Sequence, residues 1–260
     1  MANFHLFRGA DPTRIAEADS VAVIGLGRFG SALALELMAN GTEVLGIDAD
    51  EDTVQGLNGL LTHVVRADTT KEEALRQLAI PEFDRVVVAI GSDIEASILT
   101  TSLLLRFNIP QIWAKAVSDP HGAILEQLGV KRVIYPEKDM GRRVAHLVRG
   151  AMQDYLDVGD NFALVKTQPP SIVVGIPLRD TNIRARYGIT ISAYKHGDQP
   201  WTYTTMDTVL ASGDTVLVAG QTEHAEAFSQ LRRPPYLNRG FRRPAPSRCA
   251  HSGVVSTPAR

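Results

Sequence analysis

The chain has 260 residues, a formal net charge of −2, and 44% hydrophobic and 22% charged residues. That length suits one large or two small domains, and the composition excludes a wholly disordered chain. Residues 232–260 hold seven arginines and no acid, which leaves −9 on residues 1–231; so acidic a body argues against nucleic acid as a partner. Cys249 is the only cysteine, so an intrachain disulfide is excluded and a reducing cytoplasm fits. The leader MANFHLFRGADPTR has no apolar run of signal-peptide length, and no window approaches the ~20 apolar residues that span a bilayer. The expectation is a soluble or at most peripheral protein.

From residue 21 a strand–helix–strand rhythm repeats. VAVIG (21–25) predicts a strand, Arg28 to Ala39 a helix stopped at Asn40-Gly41, and EVLGID (43–48) a second strand. Asp50 predicts the cap of a short helix through Leu57. HVVRAD (63–68) predicts a third strand, with Thr69 or Thr70 capping KEEALRQL. DRVVVAIG (84–91) is a fourth, apolar enough to be buried on both faces. Asp93 opens a helix through Phe107, IPQIWAKA supplies a fifth strand, Asp119 to Leu128 a helix, and KRVIYP a sixth strand. Alternating units of this length predict an α/β fold, a Rossmann-like doubly wound parallel sheet over residues 19–140 behind a leader (1–18).

PEKDMGRRVAHLVRGAMQDYL predicts a helix over 136–156, with Pro136 in its first turn and residues 141–156 as a connector. Gly141 and Gly150 weaken it. The rhythm then changes. NFALVKT (161–167) predicts a strand, LRDTNIRARYG (178–188) one short helix, ITISAYKHG and WTYT a hairpin, DTVLVAG (214–220) a strand and EHAEAFSQL (223–231) a closing helix. Residues 157–231 therefore predict a small α+β domain, and the Arg/Pro-rich residues 232–260 a disordered tail.

Chemistry concentrates in VAVIGLGRFG. Gly25, Gly27 and Gly30 fit the G-x-G-x-x-G fingerprint between a strand and a helix. Gly25 permits the tight turn, Gly27 lets backbone N–H groups approach a phosphate, and Gly30 lets helix and strand pack. The helix N-terminus points its dipole at the ligand. Asp48, 18 residues after Gly30, stands where an acid accepts from ribose hydroxyls. Arg28 inside the turn can reach terminal phosphates, which tilts the ligand toward ATP or ADP with NAD(H) still open; the plain alternative is a solvated arginine. Lys115 ends the fifth strand at the ligand-facing edge, or snorkels. Asp68 ends the third strand near the adenine side, or caps a helix. The seven histidines form no cluster, and no nucleophile elbow, P-loop or zinc pattern is present. An enzyme is not expected.

VAVIGLGRFG, VVVAIGSDIEAS, IPQIWAKA and PEKDMG, in that order, resemble the regulator-of-potassium-conductance (RCK) family, of the KtrA and TrkA type, over residues 19–231. The resemblance implies a cytoplasmic gating ring, commonly octameric and built from dimers, beneath a membrane-embedded potassium-translocating subunit. It implies that Gly25, Gly27, Arg28 and Gly30 hold phosphates, that Asp48 holds the ribose, that Ile90, Gly91 and Ser92 line the nucleotide and that Lys115 reaches its polar end; Phe29 and Asp68 are further candidates for the same site. It implies a subunit-interface role for Glu137 near the terminal phosphates, helping to hold Mg2+ or Ca2+; otherwise Glu137 is an acid that the helix dipole favours. In some members the segment matching PLRDTNIRARYGITI lines a pocket for cyclic di-AMP, which makes Asn182, Ile183 and Arg184 candidates, against a solvated helix. The expected mechanism is a two-state ring in which ATP and ADP favour different shapes. The rival readings are an NAD(P)-dependent oxidoreductase and a nucleotide-sensing regulator of another cytoplasmic partner. The basic tail is either solvated or laid on anionic lipid.

Overall fold

The computed structural model describes residues 20–231; the leader, the tail and Cys249 lie outside them. The chain divides into two compact units between Arg142 and Arg143.

In the first unit, strands β1 (Ser20–Ile24), β2 (Glu43–Asp48), β3 (His63–Arg66), β4 (Arg85–Val88), β5 (Gln111–Lys115) and β6 (Arg132–Ile134) form one parallel sheet in the order β3-β2-β1-β4-β5-β6. The apolar runs exist because both faces are covered. Ala22, Ile24, Leu45, Ile47, Val86 and Val88 enter one buried cluster, while their alternates Val21, Val23, Val44 and Val87 enter another. Helices α1 (Arg28–Ala39), α2 (Glu51–Leu57), α3 (Glu72–Gln77), α4 (Ile94–Arg106) and α5 (Asp119–Leu128) connect the strands. Asp50 caps α2 by accepting from Thr53 N at 2.9 Å, and Asp93 caps α4 by accepting from Ala96 N at 2.9 Å, as their sequence positions predict. The expected threonine cap of α3 does not form. Lys71 occupies that position without a side-chain cap. Thr69 Oγ1 instead pairs with Thr100 Oγ1 at 2.9 Å inside the protein, and Thr70 turns back to Asp68.

Strand order reverses about β1, whose neighbours are β2 and β4; crevices form at such reversals. Gly25, at φ +91°, turns the chain out of β1, a conformation that L side chains disfavour. Its carbonyl meets α1 so closely that a Cβ on Gly30 would lie 1.8 Å from Gly25 O.

Helix α6 (Pro136–Arg149) crosses the division between the units. The helix expected through residue 156 ends seven residues early, at Arg149, and Asp154–Gly159 is strand β7. Pairing with β8 (Phe162–Thr167) overrides the helical pattern of this stretch. In the second unit β9 (Ile189–Lys195), β10 (Thr202–Tyr203) and β11 (Thr215–Gln221) complete an antiparallel sheet in the order β10-β9-β11-β8-β7. Burial alternates along β8, β9 and β11, so one face carries the core. Helix α9 (Thr222–Gln230) buries Ala225 and Phe228 against it. The single helix expected over 178–188 is two, α7 (Leu178–Thr181) and α8 (Ile183–Tyr187), because Asn182 between them adopts φ +50°. Within this unit the C-terminal half of α6 is fastened by Arg143 to Asp154 at 2.6 Å, and by His146, which bonds Glu226 and stacks on Tyr155 at 4.1 Å.

Gly30→Ala should lower stability by about 3 kcal/mol, because the contact is with backbone and neither side can yield. Gly27→Ala, with nothing within 4 Å of its added Cβ, should stay within about 0.5 kcal/mol of wild type. Denaturant unfolding of the two variants measures both.

Candidate functional site

A cavity of about 810 Å3 opens at the C-terminal edge of the parallel sheet, within the usual size of a small-ligand site. Gly25, Gly27, Arg28 and Phe29 line it from the glycine turn, Asp48 from β2, and Asp68 from the loop after β3. Ile90, Gly91 and Ser92 enter after β4, Lys115 from β5, and Glu137 from the first turn of α6. These are the expected site residues with one correction. Gly30 is buried behind the turn and does not line the cavity; its role is the close packing of α1 on Gly25.

Strand order gives the site a polarity. Across the sheet stand Asp68, Asp48, the glycine turn, Ile90 to Ser92, Lys115 and Glu137. One end is acidic. The other carries Arg28 and Lys115.

Asp48 does more than the fingerprint implies. Its Oδ2 accepts from Leu26 N at 2.6 Å and its Oδ1 from Asp50 N at 2.9 Å. The carboxylate thus straps the glycine turn to the end of β2, and the residue lines the cavity.

The glycine turn fits a phosphate. Gly27 is the N-cap of α1, no side chain caps that helix, and no acid lies in its first turn. The first-turn N–H groups and the dipole therefore meet the cavity without an anionic side chain of their own. An added Cβ on Gly27 would meet open space, so backbone is the wall here.

Lys115 is buried, its side chain only 9% exposed, and its ammonium bonds Glu137 Oε1 at 2.6 Å. It also lies 5.7 Å over the Phe29 ring. Gly91 leaves room for it: a Cβ there would stand 3.1 Å from Nζ. A buried ammonium needs such a partner. The Lys115 hydrogen bond holds the Glu137 carboxyl below its ordinary value, with the charges of Lys115 and Arg28 adding to the effect. Glu137 is thus an ion-pair partner. Among the described residues no three His, Cys, Asp or Glu side chains gather where they could hold a metal, so the expected Mg2+ or Ca2+ does not fit the donors of one chain.

Asp50, Thr53, Thr69, Thr70, Asp93 and Val117 also line the cavity, and the sequence reading did not place them there. The signal was present: every loop after a strand in a doubly wound sheet faces the crevice. Asp50 and Asp93 were hidden by their other role as caps. His121, only 2% exposed, is pushed toward its neutral form by burial.

The second unit holds a cavity of about 540 Å3, lined by Asn182, Ile183 and Arg184 together with Arg179, Ile191 and Thr204 among others. The three residues expected at a second ligand are therefore brought together. No helix among the described residues is long and apolar enough to cross a membrane.

Lys115→Met should lift the Glu137 carboxyl back toward its ordinary value of 4.5, as read by NMR titration of that side chain. The sign follows from linkage. A carboxyl held low in the folded state contributes stability above its ordinary value, and the contribution is lost as pH falls through the folded value. Wild type should therefore lose this pairing at acid pH, and the Met variant should have none to lose.

Residues 21–136 match the TrkA-N domain family and residues 162–232 the TrkA-C domain family. Ktr system potassium uptake protein C of Bacillus subtilis (strain 168) is 38% identical over 80% of this chain and 95% of its own length. Ktr system potassium uptake protein A of Vibrio alginolyticus is 34% identical over 76% of this chain and 91% of its own. The solved RCK domain of GsuK shares the fold, with a TM-score of 0.58 at 17% identity over 84% of this chain and 48% of that one. The two matching domain families, and 38% identity along nearly all of one relative, establish that this chain belongs to the regulator-of-potassium-conductance family.

Proposed function

We propose that this protein is the cytosolic nucleotide-sensing regulatory subunit of a membrane-embedded potassium-translocating system. One observation carries the reading. The cavity runs from carboxylates at β3 and β2, past an uncapped helix N-terminus, to Arg28 and Lys115. That is the order of groups along a nucleotide: base, ribose, phosphates. Residues 19–140 are the nucleotide-binding domain, 141–156 the connector and 157–231 the regulatory domain. The ligand is ATP or ADP, with NAD(H) as the dinucleotide occupant of the same groove.

Asp48 accepts from the ribose hydroxyls. The N–H groups around Gly27 and Arg28 hold the phosphates, and Lys115 meets their far end. Arg28 discriminates three phosphates from two. Only such a differential contact shifts a two-state equilibrium. No step in this reading passes through a metal.

Assembly is supported by α6. None of its residues is buried, and Met140, Val144 and Val148 form an exposed apolar row at four-residue spacing. Such a row asks for a partner surface, and a second copy of this chain, in dimers building an octameric ring, meets that need. The membrane partner is supported by relatives named as potassium uptake proteins whose lengths this chain nearly spans. The oxidoreductase reading is the less supported, because both relatives are named for transport. In the second unit the cavity at Asn182, Ile183 and Arg184 takes cyclic di-AMP.

Thermal unfolding with ATP, ADP, NADH and cyclic di-AMP tests these assignments, since each true ligand raises the midpoint with its saturation. Arg28→Ala should weaken ATP about tenfold more than ADP, the loss of one charge-assisted contact; an unchanged ratio would refute phosphate counting by Arg28. Arg184→Ala should abolish any shift by cyclic di-AMP while leaving the ATP shift intact.

A further inference from the structure

We infer that His121 is a positioning residue for the Lys115 end of the cavity, holding Val117 in the cavity wall through its Nδ1. The inference rests on the nucleotide reading above and adds to it the group that shapes the turn after β5.

The turn begins where β5 ends. Lys115 is the last residue of that strand, and Ala116 N still donates to Ile134 O of β6 at 2.8 Å. Val117 follows. Lys115 and Val117 both line the cavity, and both converge on Gly91. A Cβ there would stand 3.1 Å from Lys115 Nζ and 3.5 Å from Val117 Cγ1. The ammonium and the valine thus share one stretch of wall.

Ser118, Asp119, Pro120 and His121 open α5 as a capping box with histidine in the place usual for glutamate or glutamine. Ser118 Oγ accepts from His121 N at 3.3 Å. The imidazole reaches back, and its Nδ1 accepts from Val117 N at 3.4 Å. In the usual box the side chain reaches the N-cap N–H. Here it reaches one residue further, to the residue that lines the cavity.

That bond exists only for the neutral ring. Val117 N–H donates, so Nδ1 keeps a lone pair and the single ring proton lies on Nε2. Nε2 is buried with no hydrogen-bond partner among the described residues. A second proton would go to Nδ1, set donor against donor at Val117, and leave a buried cation without an opposite charge. The neighbouring charges are committed elsewhere. Asp119 pairs with Lys138 at 2.6 Å, and Lys115 with Glu137 at 2.6 Å. The Tyr135 hydroxyl packs on Gly122, 1.8 Å from where a Cβ would stand. On α4, which packs against α5, Asp93 serves its cap, Glu95 is exposed and Arg106 pairs with Glu72. On β6, Arg132 lies over the Trp113 ring. Burial pushes the imidazole below its ordinary value. The Val117 bond is therefore intact above that value and is lost as pH falls through the folded one. Protons and nucleotide oppose each other at this turn.

The test is calorimetric titration of ADP against the full chain from about pH 7.5 down to about pH 5.5. His121→Asn sets Oδ1 where Nδ1 stands, an acceptor that does not titrate. His121→Leu keeps apolar bulk and has no acceptor. At the upper pH the Leu variant should bind ADP about fivefold more weakly than wild type, the loss of one hydrogen bond, and the Asn variant within about twofold of it. As pH falls, wild type should lose about fivefold relative to the Asn variant. The phosphates of ADP titrate alike for all three proteins, so that comparison isolates the imidazole. Thermal unfolding without nucleotide at each pH shows that the proteins remain folded. Wild-type affinity in the Leu variant, an Asn variant as weak as the Leu variant, or parallel pH profiles of wild type and Asn variant overturns the role of His121 while nucleotide binding stands. Failure of wild type to bind ADP, ATP or NADH overturns the nucleotide reading and this inference with it.

Discussion

The close seating of α1 on the glycine turn is the contact from which the site is built. No side chain fits between Gly30 and the Gly25 carbonyl, so the first turn of the helix comes down to the edge of the sheet. Its N–H groups then face the crevice that the reversal of strand order opens beside β1. Asp48 locks the arrangement from the neighbouring strand by accepting from Leu26 N. One acid therefore serves two ends at once. It holds the turn in shape, and it lines the cavity from the end of β2.

The charge at the opposite end depends on a different compromise. Lys115 is buried at the end of β5 while Glu137, its partner, remains 64% exposed. A buried ammonium needs an opposite charge beside it, and Glu137 supplies that charge at the cavity wall, where Arg28 also stands. Glu137 belongs to α6, the helix whose other half is fastened into the second unit by Arg143, His146 and Leu147. A change at the cation end of the cavity thus bears on the helix that the two units share.

Local pattern made much of this legible. The strands from β1 to β6 are short apolar runs, and helices α1, α2, α4 and α5 begin and end where cap and stop residues say they should. Asp50 and Asp93 cap their helices because capping is decided within three residues. The failures share one cause. Thr69 was drawn from its capping role by Thr100, 31 residues away. Residues 154–159 suit a helical period but pair with β8. Asn182 breaks one helix into two through a positive φ that no periodicity reveals. Gly30 packs α1 on Gly25, as its place in the motif predicts, and does not line the cavity with Gly25 and Gly27 as the family resemblance implies.

The sequence by itself determined the class of the fold, the family, and the positions at which chemistry could occur, because glycine turns, caps and apolar runs are set by neighbours along the chain. Tertiary structure alone decided what those residues do to one another. It brought Glu137 to Lys115 across 22 residues, Leu26 to Asp48 across another 22, and set Asp68 and Asp48 in the lining of one cavity. Ion pairs, straps and the polarity of a cavity depend on which strand lies beside which. That is fixed by the burial of both faces of the sheet and by its right-handed crossovers, and no local pattern carries it.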